Sequence, residues 1–275
     1  MITDWDDAYA NGDHIAGAAA FPERWADQAR DFRREQLGKG CTRLDLPYGP
    51  AARNVLDLFM PDRQPLGLAV FIHGGYWLDF DKSSWSHLAR GPLDKGWAVA
   101  LPSYSLAPGC SVARITAQIA EAVDHAATLV NGPIRLAGHS AGGHLAARMV
   151  CQNAPLSSGV QQRIAHVLSI SGLHDLRPLE RTSMGPKLFH AYGESARESP
   201  ALLLPVPAAH VTCWVGSDER PEFLRQSELL ANIWTGLGAD TKLIHDPGRH
   251  HFDVIDGLAD QHSRLTADFI GRTDP

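Results

Sequence analysis

The stretch Ile134-Arg135-Leu136-Ala137-Gly138-His139-Ser140-Ala141-Gly142-Gly143-His144 constrains the fold more than any other in the chain. A short apolar run enters Gly-x-Ser-x-Gly and an alanine-rich stretch leaves it, which predicts a strand, a sharp turn and a helix. Such a turn lifts Ser140 above the end of its strand and makes it a candidate nucleophile. Side chains at positions 138 and 142 would collide with neighbouring backbone, and glycine tolerates the strained dihedrals of such a turn. Gly143 adds room for the helix to pack close. The competing reading is a glycine-rich loop with an incidental serine; the strand before it and the helix after it favour the elbow.

The rest of the chain repeats this alternation. Residues 42–47 and 54–60 read as an antiparallel pair around the turn Tyr48-Gly49-Pro50. Residues 66–72 and 97–102 are apolar throughout, as strands covered on both faces should be. Further strands are expected at 164–170, 210–215 and 241–245. Helices are expected at 83–95, 111–130, 140–153, 221–234 and 263–270, with Ile115, Ile119, Val123 and Ala126 on one face of the second. The pattern predicts an α/β fold: a mostly parallel, twisted sheet with helices on both faces. We expect a single domain over 1–275, since neither a repeat nor a linker is evident. Residues 1–40 are a helical, polar N-terminal extension with Trp5, Tyr9, Phe21, Trp25 and Phe32 as anchors, packed over the site entrance or lying as a surface arm. Residues 173–207 interrupt the alternation and are expected to form a small cap insertion.

A chain of 275 residues can bury one large core, and a net charge of −6 without a basic stripe excludes a nucleic-acid partner. No apolar run is long enough for a membrane span. The opening residues Met1–Asp7 are acidic and do not read as a secretory leader. The four cysteines are scattered and form no Cys-x-x-Cys pair, so they read as buried thiols of a cytoplasmic protein. Neither a cofactor nor a metal is expected. His73, His139, His250 and His251 could gather around an ion, but metal-ligand spacing is lacking.

A nucleophilic serine needs a base, an acid that orients it and donors for the oxyanion. After an elbow of this kind, the acid and then the histidine follow in chain order. The loop Asp246-Pro247-Gly248-Arg249-His250-His251 lies after the last strand, where a base must sit, and offers two histidines. The turn Gly216-Ser217-Asp218-Glu219 offers two carboxylates. His139 and His144 read as structural or packing residues. The loop His73-Gly74-Gly75-Tyr76-Trp77 follows the strand 66–72. Its adjacent glycines let successive N–H groups point into one cavity. Gly75, Tyr76 and Ala141 are the expected oxyanion donors, with Gly74 shaping the turn. Tyr76 and Trp77 are expected to line the mouth of the site and stack on a flat leaving group.

With these residues in hand, the chain resembles the α/β-hydrolases of the hormone-sensitive-lipase and esterase type, through Tyr104-Ser105-Leu106-Ala107-Pro108 among others. More narrowly it resembles the kynurenine formamidase (arylformamidase) branch. The strings that carry this are His73-Gly74-Gly75-Tyr76-Trp77, Gly138 to Leu145, Ser171 to Leu179, Pro221 to Ser227 and His251-Phe252-Asp253. The resemblance implies the α/β-hydrolase fold, and His251 as the base because it directly precedes Phe. It implies Glu219 as the acid, counted from Gly216, with Asp218 as the alternate. Where the branch often carries an Asn after Asp-Leu-x-Pro-Leu, this chain has Thr182-Ser183-Met184-Gly185-Pro186. The expected activity is hydrolysis of a small acyl group, an aryl formamide such as N-formylkynurenine, with water as the second reactant. The alternatives are a short-chain carboxylesterase and, from another class, a non-catalytic ligand receptor on the same fold. A homodimer is left open.

Overall fold

The computed structural model describes residues 2–271. Its centre is an eight-stranded sheet: β1 (Thr42–Pro47), β2 (Val55–Phe59), β3 (Leu68–Ile72), β4 (Ala98–Pro102), β5 (Ile134–His139), β6 (Ile164–Ile170), β7 (His210–Gly216) and β8 (Asp240–Asp246). The order is β1-β2-β4-β3-β5-β6-β7-β8. β2 is antiparallel to both of its neighbours, and the pairs from β4 through β8 are parallel. Side chains alternate between the two faces, so that Val70 enters one core and Phe71 the other. This is the mostly parallel sheet expected, with the antiparallel strands at its start.

One face is covered by α4 (Val112–Leu129), α5 (Ala141–Arg148) and the helix Pro221–Gly236. α4 begins where the Ser111 side chain accepts from the Arg114 N–H, and it buries Ile115, Ile119, Val123 and Ala126 in one stripe. The other face carries α2 (Phe21–Gly38), α3 (Arg90–Asp94) and the helix Arg264–Ile270, with Trp25, Phe32, Leu93 and Phe269 inside. A short α1 (Trp5–Tyr9) precedes them.

The structure differs from expectation over 83–95. Two short 3-10 turns, Lys82–Ser84 and Ser86–Ala89, lead into the five-residue α3. Pro92 lacks an N–H, and its ring would clash with the carbonyl of Leu88 in a continuous α-helix. α5 also stops at Arg148, short of 153. Met149, Val150 and Cys151 each bond three residues back, and Cys151 then bridges to Pro205. Residues 173–207 hold only short helical turns. Cys110, Cys151 and Cys213 are buried, whereas Cys41 is half-buried. Among the described residues no helix is long and apolar enough to cross a membrane.

Candidate active site

Ser140 stands between β5 and α5 with φ +56° and ψ −118°, a backbone conformation that a side chain adopts only under constraint. The constraint is crowding. A Cβ added at Gly138 would lie 2.0 Å from the Gly142 carbonyl oxygen, and one at Gly142 would lie 2.0 Å from that of Ile72. A Cβ at Gly143 would lie 2.7 Å from Ser169 Oγ. The Ser140 N–H donates to the Ile170 carbonyl at 2.8 Å, which anchors the turn to β6. The glycine spacing therefore records how closely β3, β5, β6 and α5 approach at this point.

His251 and Glu219 meet below the same cavity wall. His251 Nδ1 lies 2.6 Å from Glu219 Oε2, and the carboxylate is fully buried. The other oxygen, Oε1, accepts from Ser171 Oγ and from the Gly216 N–H at 2.9 Å. The acid loop and the histidine loop are bonded to each other: Ser217 N–H donates to Asp246 and Asp218 N–H to Arg249. Asp218 is exposed and accepts from Ser217 Oγ at 2.8 Å. His250 turns away, its Nδ1 accepting from the Phe252 N–H at 3.1 Å. Of the paired candidates, the structure thus brings together Glu219 and His251 and leaves Asp218 and His250 outside.

Two contributors escape the sequence reading. Ser171, at φ +51°, supplies a hydroxyl that fixes the Glu219 carboxylate. His139 packs its ring 4.6 Å from that of His251, and its Nε2 lies 2.9 Å from the His251 carbonyl. Burial, and then the neighbouring His251, hold His139 well below the ordinary imidazole value. It is therefore neutral, with the Nε2 hydrogen donated to that carbonyl. A histidine beside the elbow serine carried a signal, but its partner 112 positions away did not.

The loop after β3 is strained at three successive residues. Gly75 has φ +105°, and Tyr76 and Trp77 follow at +51° and +59°. The Gly75 carbonyl turns inward to accept from the N–H groups of Leu78 and Asp79, and a Cβ on Gly75 would sit 2.5 Å from the Asp79 oxygen. Gly74 packs against the elbow, where a Cβ would lie 3.1 Å from Ser140 Cβ. Tyr104 stacks on His73 at 4.2 Å and donates its hydroxyl to the His73 carbonyl, so the loop is braced from beneath. Burial lowers the His73 pKa to about 4, which keeps that ring neutral. Trp77 corrects the expectation. It is fully buried in the core, packs edge-on against His144 at 5.2 Å and is not among the residues that line the cavity. Tyr76 does line it.

Ser140, His139 and His251 open into a cavity of about 420 Å³. Its wall is aromatic: Tyr9, Trp25, Tyr76, Phe80, Trp85 and Phe252. The N-terminal forty residues build much of that wall through Tyr9, Asn11, Gly12 and Trp25, so they are part of the site and not a surface arm. Tyr76 Oη donates to the Tyr9 carbonyl at 2.6 Å, and Tyr9 Oη to Glu222 at 2.7 Å. Ser183 and Met184, from 173–207, close another side, with Asp6 accepting from Ser183 N–H and Oγ. A raised serine and an imidazole seated on a buried carboxylate, open to one cavity, can carry out nucleophilic acyl transfer.

Residues 56–207 match the BD-FAE family model. This chain belongs to the BD-FAE family. A kynurenine formamidase of Danio rerio is 29% identical over 82% of this BD-FAE chain and 80% of its own length. The crystal structure of a provisionally assigned thioesterase from Silicibacter sp. TM1040 is 49% identical, with a TM-score of 0.90 over 97% of this chain and 98% of that one. Esterase B from Lactobacillus rhamnosis, solved with a tributyrin phosphonate, is 18% identical with a TM-score of 0.66 over 92% of both chains, and shares the fold. This BD-FAE protein has the α/β-hydrolase fold, and it is a hydrolase.

Proposed function

We propose that this protein hydrolyses aryl formamides of the N-formylkynurenine type, with Ser140 as nucleophile. The observation that carries this reading is the cavity of about 420 Å³, walled by aromatic rings and floored by Ser140 and His251, which suits a compact flat leaving group better than a long acyl chain. The Danio rerio kynurenine formamidase, alike over four-fifths of both chains, supports it.

In the proposed mechanism Ser140 Oγ adds to the formyl carbon as His251 Nε2 takes its proton. The N–H groups of Gly75, Tyr76 and Ala141 hold the oxyanion. The carbon–nitrogen bond then breaks, and the imidazolium returns the proton to the departing aniline nitrogen. Water, deprotonated by His251, cleaves the formyl ester and releases formate. Glu219 keeps the Nδ1 hydrogen in place and stabilises the imidazolium. The chain acts as one domain in which 173–207 serves as a small cap. The four free thiols support a reducing, cytoplasmic setting.

A small acyl thioester is the second reading, favoured by the provisional assignment of the Silicibacter relative. The charged residues on the wall, Asp6 and Asp79, are both acidic, which disfavours a phosphate-bearing thioester carrier. The test compares kcat/KM for N-formylkynurenine, p-nitrophenyl acetate, p-nitrophenyl decanoate and acetyl-coenzyme A. The formamide should lead. A lead for the decanoate removes the small-acyl reading, and turnover of the acetate without the formamide makes the protein an esterase on this scaffold.

A further inference from the structure

We infer that Asn11 is a specificity-determining residue: its side-chain amide hydrogen-bonds a polar, uncharged or cationic arm on the leaving group, away from the scissile bond. The inference rests on the aryl-substrate reading above and extends it. Asn11 lines the cavity and is only 5% exposed, yet neither Nδ2 nor Oδ1 has a hydrogen-bond partner among the described residues. Burying an unpaired amide is costly, and a core position would favour an apolar residue of the same shape. The cost is recovered when a ligand supplies the missing partners.

The position of Asn11 is fixed before any ligand arrives. Tyr9, two residues earlier, is held by Tyr76 at its carbonyl and by Glu222 at its hydroxyl. The Asn11 carbonyl accepts from the His14 N–H, and a Cβ on Gly12 would already lie 3.8 Å from Phe252 Cζ. An amide that cannot swing away to solvent selects rather than adapts. Charge decides what it selects. Asp6 and Asp79, both exposed, share the wall with Asn11, and among the described residues neither lysine nor arginine lines it. A carboxylate arm would meet two acids and find no counter-charge, whereas an ammonium or a neutral donor–acceptor group is accommodated.

The test measures competitive inhibition of p-nitrophenyl acetate hydrolysis by three product-like aryl amines. Kynuramine has the ammonium arm, kynurenine the same arm plus a carboxylate, and 2-aminoacetophenone no arm. In the wild type kynuramine should bind about tenfold or more tighter than 2-aminoacetophenone, with kynurenine between them. Asn11→Leu should erase most of that advantage while moving the 2-aminoacetophenone Ki less than about threefold. Asn11→Ala, which removes the amide without adding bulk, is the second variant should Asn11→Leu not fold. Equal weakening of all three ligands would give Asn11 a structural role and overturn the proposal. So would a wild type that binds the armless amine as tightly as kynuramine, or kynurenine more tightly than kynuramine. Because these constants are read on p-nitrophenyl acetate, they stand whether or not the wild type turns over N-formylkynurenine, which tests the formamidase reading separately.

Discussion

The two sides of the cavity are built differently. On one side Ser140, His251 and Glu219 are set by backbone crowding and by hydrogen bonds between loops at the strand ends. The glycines there would collide with carbonyls at 2.0 Å if they carried side chains, and Glu219 has three partners on its two oxygens. On the other side, the N-terminal wall is held by a few side-chain bonds spanning most of the chain, such as Tyr9 to Glu222. The first side has almost no freedom to move, and the second is tied at discrete points. Chemistry that needs fixed geometry sits on the crowded side. On the proposed reading, recognition of the leaving group falls to the tethered side.

If this division is right, changes on the crowded side lower kcat and changes on the tethered side raise KM. The largest effect belongs to Ser140→Ala. Removing the nucleophile should cut kcat by about 10⁴-fold or more, with the Tm of the wild type retained. Near-native kcat in that variant would break the comparison at its base. Next comes the acid. Glu219→Gln should lower kcat by roughly 10³- to 10⁴-fold, while Asp218→Asn stays within about twofold. The reverse order would move the acid to Asp218, against the hydrogen bonds that Glu219 makes.

Ser171→Ala sharpens the division further. Its hydroxyl touches only the carboxylate behind His251, at a distance from any substrate, so it acts by positioning. Loss of one hydrogen bond to a buried carboxylate should lower kcat roughly ten- to hundredfold, with KM little changed. A variant with unaltered kcat, or one whose KM rises while kcat holds, would show that Glu219 is held adequately by Gly216 alone.

What the sequence disclosed follows the same division. The elbow was legible because its constraint is steric and local: glycines are needed wherever β5 and α5 turn this tightly. Spans such as β6 and α4 were legible from periodicity and composition. The residues alone left Asp218 and Glu219 open and the resemblance favoured Glu219; its supports, Ser171 and the Gly216 N–H, were not legible, since only the packing of two loops brings them to one carboxylate. Trp77 differs from expectation because its place is decided by core packing against His144, which adjacency to Tyr76 in the chain does not reveal. The helix expected at 83–95 is broken into 3-10 turns before Arg90, because Pro92 has no N–H for the Leu88 carbonyl and its ring would clash there. The aromatic anchors of the N-terminal stretch were legible, but the bond from Tyr9 to Glu222 was not, since the two lie 213 positions apart, and nothing in the sequence marked Asn11.

The smallest effect probes the tether itself. Tyr9→Phe removes the hydroxyl that donates to Glu222 Oε1 at 2.7 Å and keeps the ring, which packs edge-on against Phe223 at 6.2 Å. The carboxylate is not orphaned, because Arg225 and Gln226 donate to the same oxygen at 2.7 and 2.8 Å. The cost is therefore near that of an ordinary hydrogen bond, about 1 kcal/mol, and not that of a buried unpaired charge. It falls on the docking of residues that carry Asn11, since Tyr76 Oη still holds the Tyr9 carbonyl but the side-chain anchor is weakened. KM for an aryl formamide should rise about fivefold and kcat should stay within about twofold. Cleavage by a protease between α1 and α2 should quicken by a similar factor, since it reads the same local opening. A fall in kcat without a change in KM would mean that the tether positions the reacting atoms, and that the two sides of the cavity are one mechanical unit.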